Sequence, residues 1–486
     1  MVRDRLNAER GTLYRDVPER VALLYPSPYH TAMSSLGYQT IYRAIHESGR
    51  AVERAFLPDD VEAWRASRAP LFSYEGERPV SAFPVIAISV AYETELSGLV
   101  DALDLAGIPP LAADRDERHP FILCGGPLTF SNPLPLAPFD DAILMGEADE
   151  TIHRTLDILF ASSSRADALK TLSREEPSCF VPSMHGDDMP HVAQCADELL
   201  PAYGQIMTPN TELRDMFLLE TSRGCSRGCH YCVMRRSTNG GMRIVPMETI
   251  FARIPESARR VGLVGAAVSD HPKIAEIVET LADQGREVGL SSLRPDRLND
   301  RFVAALKRGG YKTLTTAGDG SSERVRETLQ RKTRERHLVK AAELARAHGM
   351  ERMKLYMMVG TPGETDDDID ELVRFSTELS KIIPLSMGVA PFVAKRNTPL
   401  DGQPFAGIPA VEHKMDRLRR GVRGRVDVRA TSARWAWIEY VLAQGGRDEG
   451  LAVMHATRAG GKFSAWKKAI ESMPEARPRR QLRVVA

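Results

Sequence analysis

Short apolar runs alternate with amphipathic stretches along the first third of the chain. The runs at residues 21–25, 85–90, 121–124 and 142–145 have the length of strands that are buried on both faces of a parallel sheet. Stretches with helical spacing separate these runs. This alternation predicts an α/β fold, with a Rossmann-like doubly wound domain at residues 1–160 whose ligands bind beside the carboxyl ends of the strands.

A second series of strand and helix patterns lies at residues 216–400. Each of six apolar runs ends in a polar or glycine-containing turn and precedes a stretch with helical character. These runs lie at residues 216–220, 261–268, 287–293, 313–316, 353–359 and 385–389. Six strand–helix units predict a second parallel α/β domain, in which the loops after the strands carry the functional site.

Two further segments complete the predicted domain organisation. Residues 161–215 contain several prolines and short polar runs, which predict an irregular connector with little core. Residues 401–486 predict a small C-terminal helical extension that also contains a strand near 424–429. We expect the large aromatic residues of this extension to pack in its core. They are Trp435, Trp437, Phe463 and Trp466.

The composition is that of an ordinary globular protein without a dominant charge. The 486 residues carry 65 basic and 65 acidic side chains, so the formal net charge is +0 and a nucleic-acid partner is not indicated. No apolar run approaches the roughly 20 residues of a membrane span. The charged first residues lack the apolar region of a secretory signal. We therefore expect a cytoplasmic protein with no membrane partner.

Three cysteines within one short segment are the most informative feature of the sequence. Cys225, Cys229 and Cys232 have the spacing Cys-x3-Cys-x2-Cys. Thiolates are the natural ligands of iron–sulfur clusters, and a [4Fe–4S] cluster for electron transfer usually has four of them. Three thiolates hold three irons and leave the fourth without a protein ligand. The spacing therefore indicates a cluster at which a substrate can bind iron.

A zinc site, a disulfide framework and chance clustering are the alternatives for the cysteine segment. A structural zinc site needs a fourth Cys or His at a suitable spacing. His230 lies between two of the cysteines, so its side chain is expected to point away from a shared metal. A disulfide framework does not suit 6 cysteines in 486 residues. Zinc and chance clustering stay open.

The cysteine spacing, with the aromatic Tyr231 directly before the last cysteine, resembles the radical S-adenosylmethionine (radical SAM) superfamily. The resemblance implies a TIM-barrel-like partial (β/α)6 barrel at residues 216–400. It also implies that SAM chelates the open iron and that Tyr231 lies against the adenine. One electron, supplied by a donor such as flavodoxin or ferredoxin, then splits SAM into methionine and a 5′-deoxyadenosyl radical.

Three later turns also resemble this superfamily. They are residues 360–364 with the acidic residues 366–370, residues 390–399, and residues 317–326. The acidic residues also suit the first turn of a helix, which is the alternative role for them. In residues 317–326, Asp319 stands where the resembled group of radical SAM proteins has a glutamate. The shorter aspartate side chain gives an acidic group there a shorter reach.

Polar residues at the ends of two predicted strands are candidates for binding SAM. Ser292 and Arg294 end the third strand of the second series, where radical SAM proteins often bind the SAM ribose and carboxylate. Arginine can pair with a carboxylate through two hydrogen bonds. Ser269, after the second strand, is a further candidate. The alternative for Arg294 is a structural ion pair with a nearby helix, such as the one that contains Asp300.

The first 160 residues resemble the cobalamin-binding-like domain that precedes many radical SAM domains. The turns at residues 125–127 and 145–147 match that group, whereas its D-x-H-x-x-G motif is missing. His30 is a lone histidine at a different spacing, and we interpret it as structural or substrate-facing. Cobalamin is therefore a candidate cofactor, and a domain that binds nothing is the alternative.

These features predict a radical SAM enzyme with a [4Fe–4S] cluster and S-adenosyl-L-methionine as cofactors. The predicted reaction is radical modification of a substrate that the sequence does not identify. Methyl transfer is the first choice if the N-terminal domain carries cobalamin. A hypothesis from another class is a non-catalytic iron–sulfur protein that senses redox state or acts as a scaffold.

Overall fold

A computed structural model describes residues 2–234 and 241–473 of the chain. The described residues form two compact units. Unit 1 contains the residues up to Asp215 together with those from Val441 onward, and unit 2 contains Met216–Tyr440. None of the described helices combines the length and the apolar character that crossing a membrane requires.

Unit 1 is built around a six-stranded, mostly parallel sheet. Its strand order is β2-β1-β3-β4-β5-β6; all neighbours are parallel except the antiparallel pair of β5 and β6. Strand β1 is buried along most of its length, as expected for a strand covered on both faces. The strands of unit 1 are β1 Arg20–Pro28, β2 Ala51–Leu57, β3 Val85–Ser89, β4 Phe121–Gly125, β5 Ala142–Leu144, β6 Cys179–Phe180 and β7 Tyr203–Gly204.

The sheet confirms the predicted α/β fold of the N-terminal region and adds two strands, β2 and β6, that the apolar pattern did not reveal. The charged residues Glu53 and Arg54 interrupt the apolar run of β2. Both are buried, and Arg54 forms ion pairs with Glu9 at 2.7 Å and Glu75 at 2.5 Å. These charges are paired inside the protein. Strand β2 is therefore fully buried although its sequence is not a continuous apolar run.

Helices cover the sheet of unit 1. They are Val2–Ala8, Tyr29–Ala32, Leu36–Glu47, Val61–Ser67, Leu96–Leu105, Ala148–Ala161, Arg165–Glu175, Pro182–His185, Arg447–Arg458 and Phe463–Glu471. Residues 161–215, expected to be an irregular connector, contain the helix Arg165–Glu175 and the strand β6. Leu172 of that helix and Phe180 of β6 are fully buried in unit 1.

Unit 2 contains two parallel sheets and a short antiparallel pair. In the first sheet β11 lies between β8 and β12, and in the second the order is β13-β14-β15-β16. The strands are β8 Met216–Glu220, β9 Ser222–Gly224, β10 Met242–Ile244, β11 Arg260–Val264, β12 Glu287–Leu290, β13 Thr313–Ala317, β14 Arg352–Val359, β15 Leu385–Pro391 and β16 Val426–Ala430. The antiparallel pair consists of β9 and β10.

The six predicted strand–helix units of the second domain are confirmed. A parallel bridge between Leu293 and Thr316 joins the two sheets, so the described strands form an open barrel, to which β16 adds a further parallel strand. Helices alternate with the strands. They are Met247–Arg253, Ile274–Asp283, Asp300–Arg308, Glu323–Thr328, Glu335–Ala347, Asp366–Ile382 and Ile408–Gly421, and Ala433–Gln444 follows β16.

The structure divides residues 401–486, predicted as one extension, between the two units. Strand β16 pairs with β15 and therefore belongs to unit 2. The side chain of Asn132 in unit 1 donates to the carbonyls of Leu442 and Gly445, so the later helices belong to unit 1. Trp466 is buried as expected, but Trp435 is 43% exposed, so its assignment to the core is wrong.

Candidate functional site

The cysteine loop begins directly after β9, at the carboxyl end of the first strand of the open barrel. Gly224 has a φ of 84°, a left-handed conformation that glycine adopts without strain, and it turns the chain into the loop. The backbone N–H of Cys225 donates to Gly241 O at 3.1 Å, and that of Cys232 donates to Cys229 O at 3.2 Å. The loop is therefore anchored at its start and closed on itself.

The three thiols share one partly buried environment. Burial raises the pKa of Cys225, and the neighbouring Cys229 raises it further. Burial also raises the pKa of Cys232, with smaller contributions from Cys229 and Cys225. The backbone N–H of Arg227 lies 3.4 Å from Cys225 Sγ, where it can stabilise a thiolate. The three sulfurs are thus close enough to influence one another.

The three loop sulfurs are not among the described groups compact enough to hold a single metal ion. Tetrahedral zinc with bonds of about 2.3 Å places its sulfur ligands about 3.8 Å apart. Within the described part of the chain, the metal-binding side chains whose ligand atoms all lie within 4.8 Å of one another are Glu147, Asp149 and Cys195, and not the three loop cysteines. The three loop sulfurs are therefore not all within the spacing that one tetrahedral zinc ion requires, and their role as cluster ligands stays a prediction.

Tyr231 contacts the turn after β13. Its hydroxyl donates to Asp319 Oδ2 at 2.8 Å, and the guanidinium of Arg331 lies 2.7 Å from the same carboxylate oxygen. Burial, followed by the Asp319 carboxylate, raises the pKa of Tyr231 well above its usual range. Burial acts to lower the pKa of Arg331, but Asp319, Tyr231 and Cys229 together raise it. Asp319 thus joins the cysteine loop to the fourth strand of the barrel.

Arg331 is a residue that the sequence did not point to. It lies between the helices Glu323–Thr328 and Glu335–Ala347 and belongs to no recognisable motif. Only the folded chain brings its guanidinium to Asp319 and to the thiol of Cys229.

Arg294 lies in an ion-pair network at the carboxyl ends of β11 and β12. Its guanidinium lies 3.0 Å from Asp296 and 3.4 Å from Asp270. Arg227 of the cysteine loop lies 2.9 Å from Asp296 and 3.5 Å from Asp270. Burial acts to raise the pKa of Asp296, but Arg294 and Arg227 hold it below its usual range. The network connects the loop to the second and third strands of the barrel.

The two serine candidates occupy different environments. Ser269 is buried, and its Oγ accepts a hydrogen bond from the backbone N–H of Arg294 at 3.0 Å. Ser292 is exposed after β12. The structure therefore brings Ser269 and Arg294 together with the base of the cysteine loop. The assignment of Ser269, Ser292, Arg294 and Tyr231 to SAM binding stays a prediction.

A buried carboxylate connects the turns after β13 and β14. Glu364 accepts hydrogen bonds from Ser321 Oγ at 2.5 Å and from the backbone N–H of Gly360 at 2.5 Å. The ammonium of Lys414 lies 3.0 Å from the same carboxylate. This arrangement holds the glycine-containing turn after β14 against the turn that carries Asp319.

The acidic residues after β14 have structural partners. Asp368 accepts from Ser322 Oγ at 2.6 Å and from the backbone N–H of Thr365 at 2.7 Å, and it pairs with Arg324. Burial acts to raise its pKa, but these donors lower it to about 2. Arg417 pairs with the neighbouring acidic residues of the first helical turn. The role of this segment as a helix start therefore accounts for these side chains.

The carboxyl edge of the unit 1 sheet carries few groups that would hold a cofactor by coordination. His30 follows β1 directly, is half exposed, and lies 4.0 Å from Asp59. Glu95 is buried after β3, where it accepts from Ser27 Oγ at 3.2 Å and from the backbone N–H of Ala91 at 2.6 Å. Burial raises the pKa of Glu95. The edge thus offers one exposed imidazole beyond hydrogen-bonding distance of Asp59, whose carboxylate pairs with Arg5 at 2.6 Å.

Two family models match the chain. A model described as the N-terminal region of radical SAM proteins matches residues 37–182, and a model of the radical SAM superfamily matches residues 219–376. The first match lies within unit 1. The second lies within unit 2 and covers the cysteine loop together with the turns that contain Asp319 and Glu364.

Three relatives show different degrees of similarity. The uncharacterized protein MJ0966 of Methanocaldococcus jannaschii is 28% identical over 80% of each chain. The uncharacterized methyltransferase PH0819 of Pyrococcus horikoshii is 21% identical over 58% of this chain and 62% of its own length. The ribosomal protein uS12 methylthiotransferase RimO of Clostridioides difficile is 24% identical over 43% of this chain and 48% of its own length.

A solved structure shares the fold of both units. It is the radical SAM methyltransferase TsrM of Kitasatospora setae with cobalamin and a [4Fe–4S] cluster bound. The TM-score is 0.54 at 12% identity, over 82% of this chain and 75% of TsrM. This likeness shows the fold. The two family models, together with the cysteine loop at the mouth of an open barrel, assign the chain to the radical SAM superfamily of enzymes, which use a [4Fe–4S] cluster and S-adenosylmethionine.

Proposed function

We propose that this radical SAM enzyme transfers a methyl group and that unit 1 binds cobalamin for this purpose. The observation that carries the proposal is the mostly parallel sheet of unit 1, whose strands end at one carboxyl edge. In open parallel sheets, ligands bind at this edge. The fold shared with TsrM, which is a cobalamin-containing methyltransferase, supports the same choice. Cobalamin, when bound, would carry the methyl group.

In unit 2, Cys225, Cys229 and Cys232 would hold the cluster, which supplies one electron to SAM. The hydrogen bond from Tyr231 to Asp319 would orient the aromatic ring beside the SAM site. Arg294 and Ser269, which are joined by a hydrogen bond from the backbone N–H of Arg294, would position the loop and contact SAM. Methyl transfer from SAM leaves S-adenosylhomocysteine, whereas reductive cleavage leaves methionine and 5′-deoxyadenosine.

Methylthio transfer is a second reaction, suggested by the similarity to RimO. It needs a sulfur donor in addition to SAM. The cysteines outside the loop, Cys124, Cys179 and Cys195, are all buried. Burial raises the pKa of Cys124 and of Cys179, which disfavours the thiolate form. These side chains therefore support methyl transfer over methylthio transfer.

The substrate is a molecule that presents an unreactive C–H bond, and an electron donor such as flavodoxin or ferredoxin would reduce the cluster. Because such a cluster needs a reducing compartment, the proposal includes a cytoplasmic location.

The test uses the full chain, reconstituted anaerobically with iron, sulfide and hydroxocobalamin and then desalted. We expect retained cobalamin in the visible spectrum and, after reduction and addition of SAM, release of S-adenosylhomocysteine in proportion to bound cobalamin. A protein that retains no cobalamin but still releases 5′-deoxyadenosine would contradict the methyl-transfer proposal and leave the radical SAM assignment intact. His30→Ala, with the exposed His191→Ala as control, tests whether this imidazole contributes to retention.

A further inference from the structure

Unit 2 carries a strongly basic segment in a chain whose total charge is zero. Residues 416–434 contain seven arginines, two aspartates and no lysine. Five exposed arginines of this segment are here called the arginine edge. They are Arg419, Arg420, Arg423, Arg425 and Arg429. The balanced composition of the whole chain therefore conceals a local concentration of positive charge.

The fold places the arginine edge along one margin of a sheet. The helix Ile408–Gly421 ends just before β16, and β16 is the outermost strand of its sheet. Side chains alternate between the two faces of a strand, so Arg425, Asp427 and Arg429 share a face. All three are exposed, whereas Val426 and Val428 on the other face are partly buried. The positive side chains thus extend from the helix end along the outer strand.

Little of this charge is neutralised by neighbouring carboxylates. Arg419 lies 3.6 Å from Asp416, and Arg429 lies 3.3 Å from Asp427. By contrast, Arg417 of the same helix pairs with two acidic residues of the helix Asp366–Ile382.

Arg423 and Arg425 form no ion pair with any residue in the described ranges 2–234 and 241–473. Both are accessible to a ligand because their side chains are exposed.

An exposed aromatic ring lies beyond the end of the same strand. Trp435 lies in the first turn of the helix after β16, next to Arg434, and 43% of it is accessible to solvent. A tryptophan so exposed has hydrophobic surface that the protein does not cover. Aromatic rings beside a basic groove are the stacking platforms of proteins that bind single-stranded nucleic acids.

We propose that the arginine edge and Trp435 bind a single nucleic-acid strand. Arginine forms two parallel hydrogen bonds with a phosphate, which the point charge of lysine does not. The arginines would follow the phosphate backbone, and Trp435 would stack on a base.

Charges on an outer strand also prevent edge-to-edge aggregation, but an uncovered tryptophan in the first turn of the following helix would work against that role. Binding of a nucleic-acid strand can be tested separately from the proposed reaction, because it is measured without SAM or cobalamin.

The test measures binding of fluorescent oligouridylate and oligothymidylate of equal length to the full chain by anisotropy, at several salt concentrations. The triple variant Arg420→Gln/Arg423→Gln/Arg425→Gln should weaken binding at least about tenfold and lower the slope of log K against log salt by about 2, since each phosphate contact on a single strand contributes about 0.7. Trp435→Ala should weaken binding about tenfold and leave the slope unchanged.

The matched control is Arg308→Gln/Arg336→Gln/Arg346→Gln, which removes the same charge from exposed helical positions of unit 2. We expect this control to bind as the wild type does. Binding of either oligonucleotide supports the proposal, and a preference for RNA would indicate contacts with the 2′-hydroxyl. The nucleic-acid proposal would be overturned if the control variant lost as much affinity for the oligonucleotides as the triple variant does, or if the triple variant bound them as tightly as the wild type. It would also be overturned if a polyglutamate peptide bound as tightly as the oligonucleotides.

Discussion

The hydrogen bond between Tyr231 and Asp319 should control how well the cysteine loop is prepared to bind SAM. Tyr231→Phe removes only the hydroxyl that donates to Asp319 at 2.8 Å. A hydrogen bond to a charged group contributes about 1.5–3 kcal/mol. Asp319 keeps its contact with Arg331 in this variant, so the carboxylate is not left unpaired. We therefore expect the loss in SAM-binding free energy to lie at the lower end of this range, about 1.5 kcal/mol. This loss corresponds to an apparent Kd for SAM that is raised about tenfold.

Asp319→Asn should have a larger effect than Tyr231→Phe. It leaves the guanidinium of Arg331, which is only 12% exposed, without its carboxylate partner beside Cys229. An uncompensated buried charge costs about 3 kcal/mol or more, so we expect the Kd for SAM to rise about 100-fold or the cluster content to fall. The double variant should be no worse than Asp319→Asn, because both substitutions break the same bond.

The assay is equilibrium binding of labelled SAM to anaerobically reconstituted protein, with iron content measured in parallel. Tyr356→Phe is the matched control, since its ring on β14 is 39% exposed. If Tyr231→Phe bound SAM as tightly as the wild type, or if the losses of the two single variants simply added, Asp319 would not be joining the loop to the barrel.

Three further predictions concern the cluster, a buried ion pair and a buried histidine. Cys225→Ala should abolish the cluster absorbance and the release of 5′-deoxyadenosine, whereas Cys124→Ala, in the core of unit 1, should keep both. Glu364→Gln should destabilise unit 2 by about 3–5 kcal/mol in urea denaturation because it leaves Lys414 unpaired, and adding Lys414→Met should recover much of the loss. Burial lowers the pKa of His271. The unfolded chain therefore takes up a proton first as the pH falls below about 6.5, and stability is lost there by up to about 1.4 kcal/mol per pH unit. The melting temperature of His271→Gln should consequently fall less between neutral and mildly acidic pH than that of the wild type, and an equal fall would contradict this assignment.

Much of the architecture could be predicted from hydrophobic periodicity. The runs that became β1, β3, β4 and β5 are continuous and apolar because these strands are covered on both faces. Strand β2 could not be recognised, since Glu53 and Arg54 interrupt its run and find partners only in the folded protein. In the segment 161–215, prolines and short polar runs hid a helix and a strand, although residues 178–182 and 206–208 are buried.

The candidate site could be predicted in part. The three cysteines are recognisable as candidate ligands because they lie in one short loop, so sequence spacing alone predicts their chemistry. Arg294 is recognisable only as a polar residue at a strand end, and its pairing with Asp270 and Asp296 depends on the relative position of two strands.

The sequence by itself indicated the parallel α/β fold and the radical SAM family and predicted the cluster ligands, because each follows from local spacing or from the period of buried residues. The tertiary structure alone brought Asp319 and Arg331 to the cysteine loop, since these residues follow Tyr231 by many positions and meet it only when the strands align. It also decided that five arginines of residues 416–434 stay exposed, from the end of a helix to an outer strand. Packing of distant segments, which no local pattern records, is the physical reason for the difference.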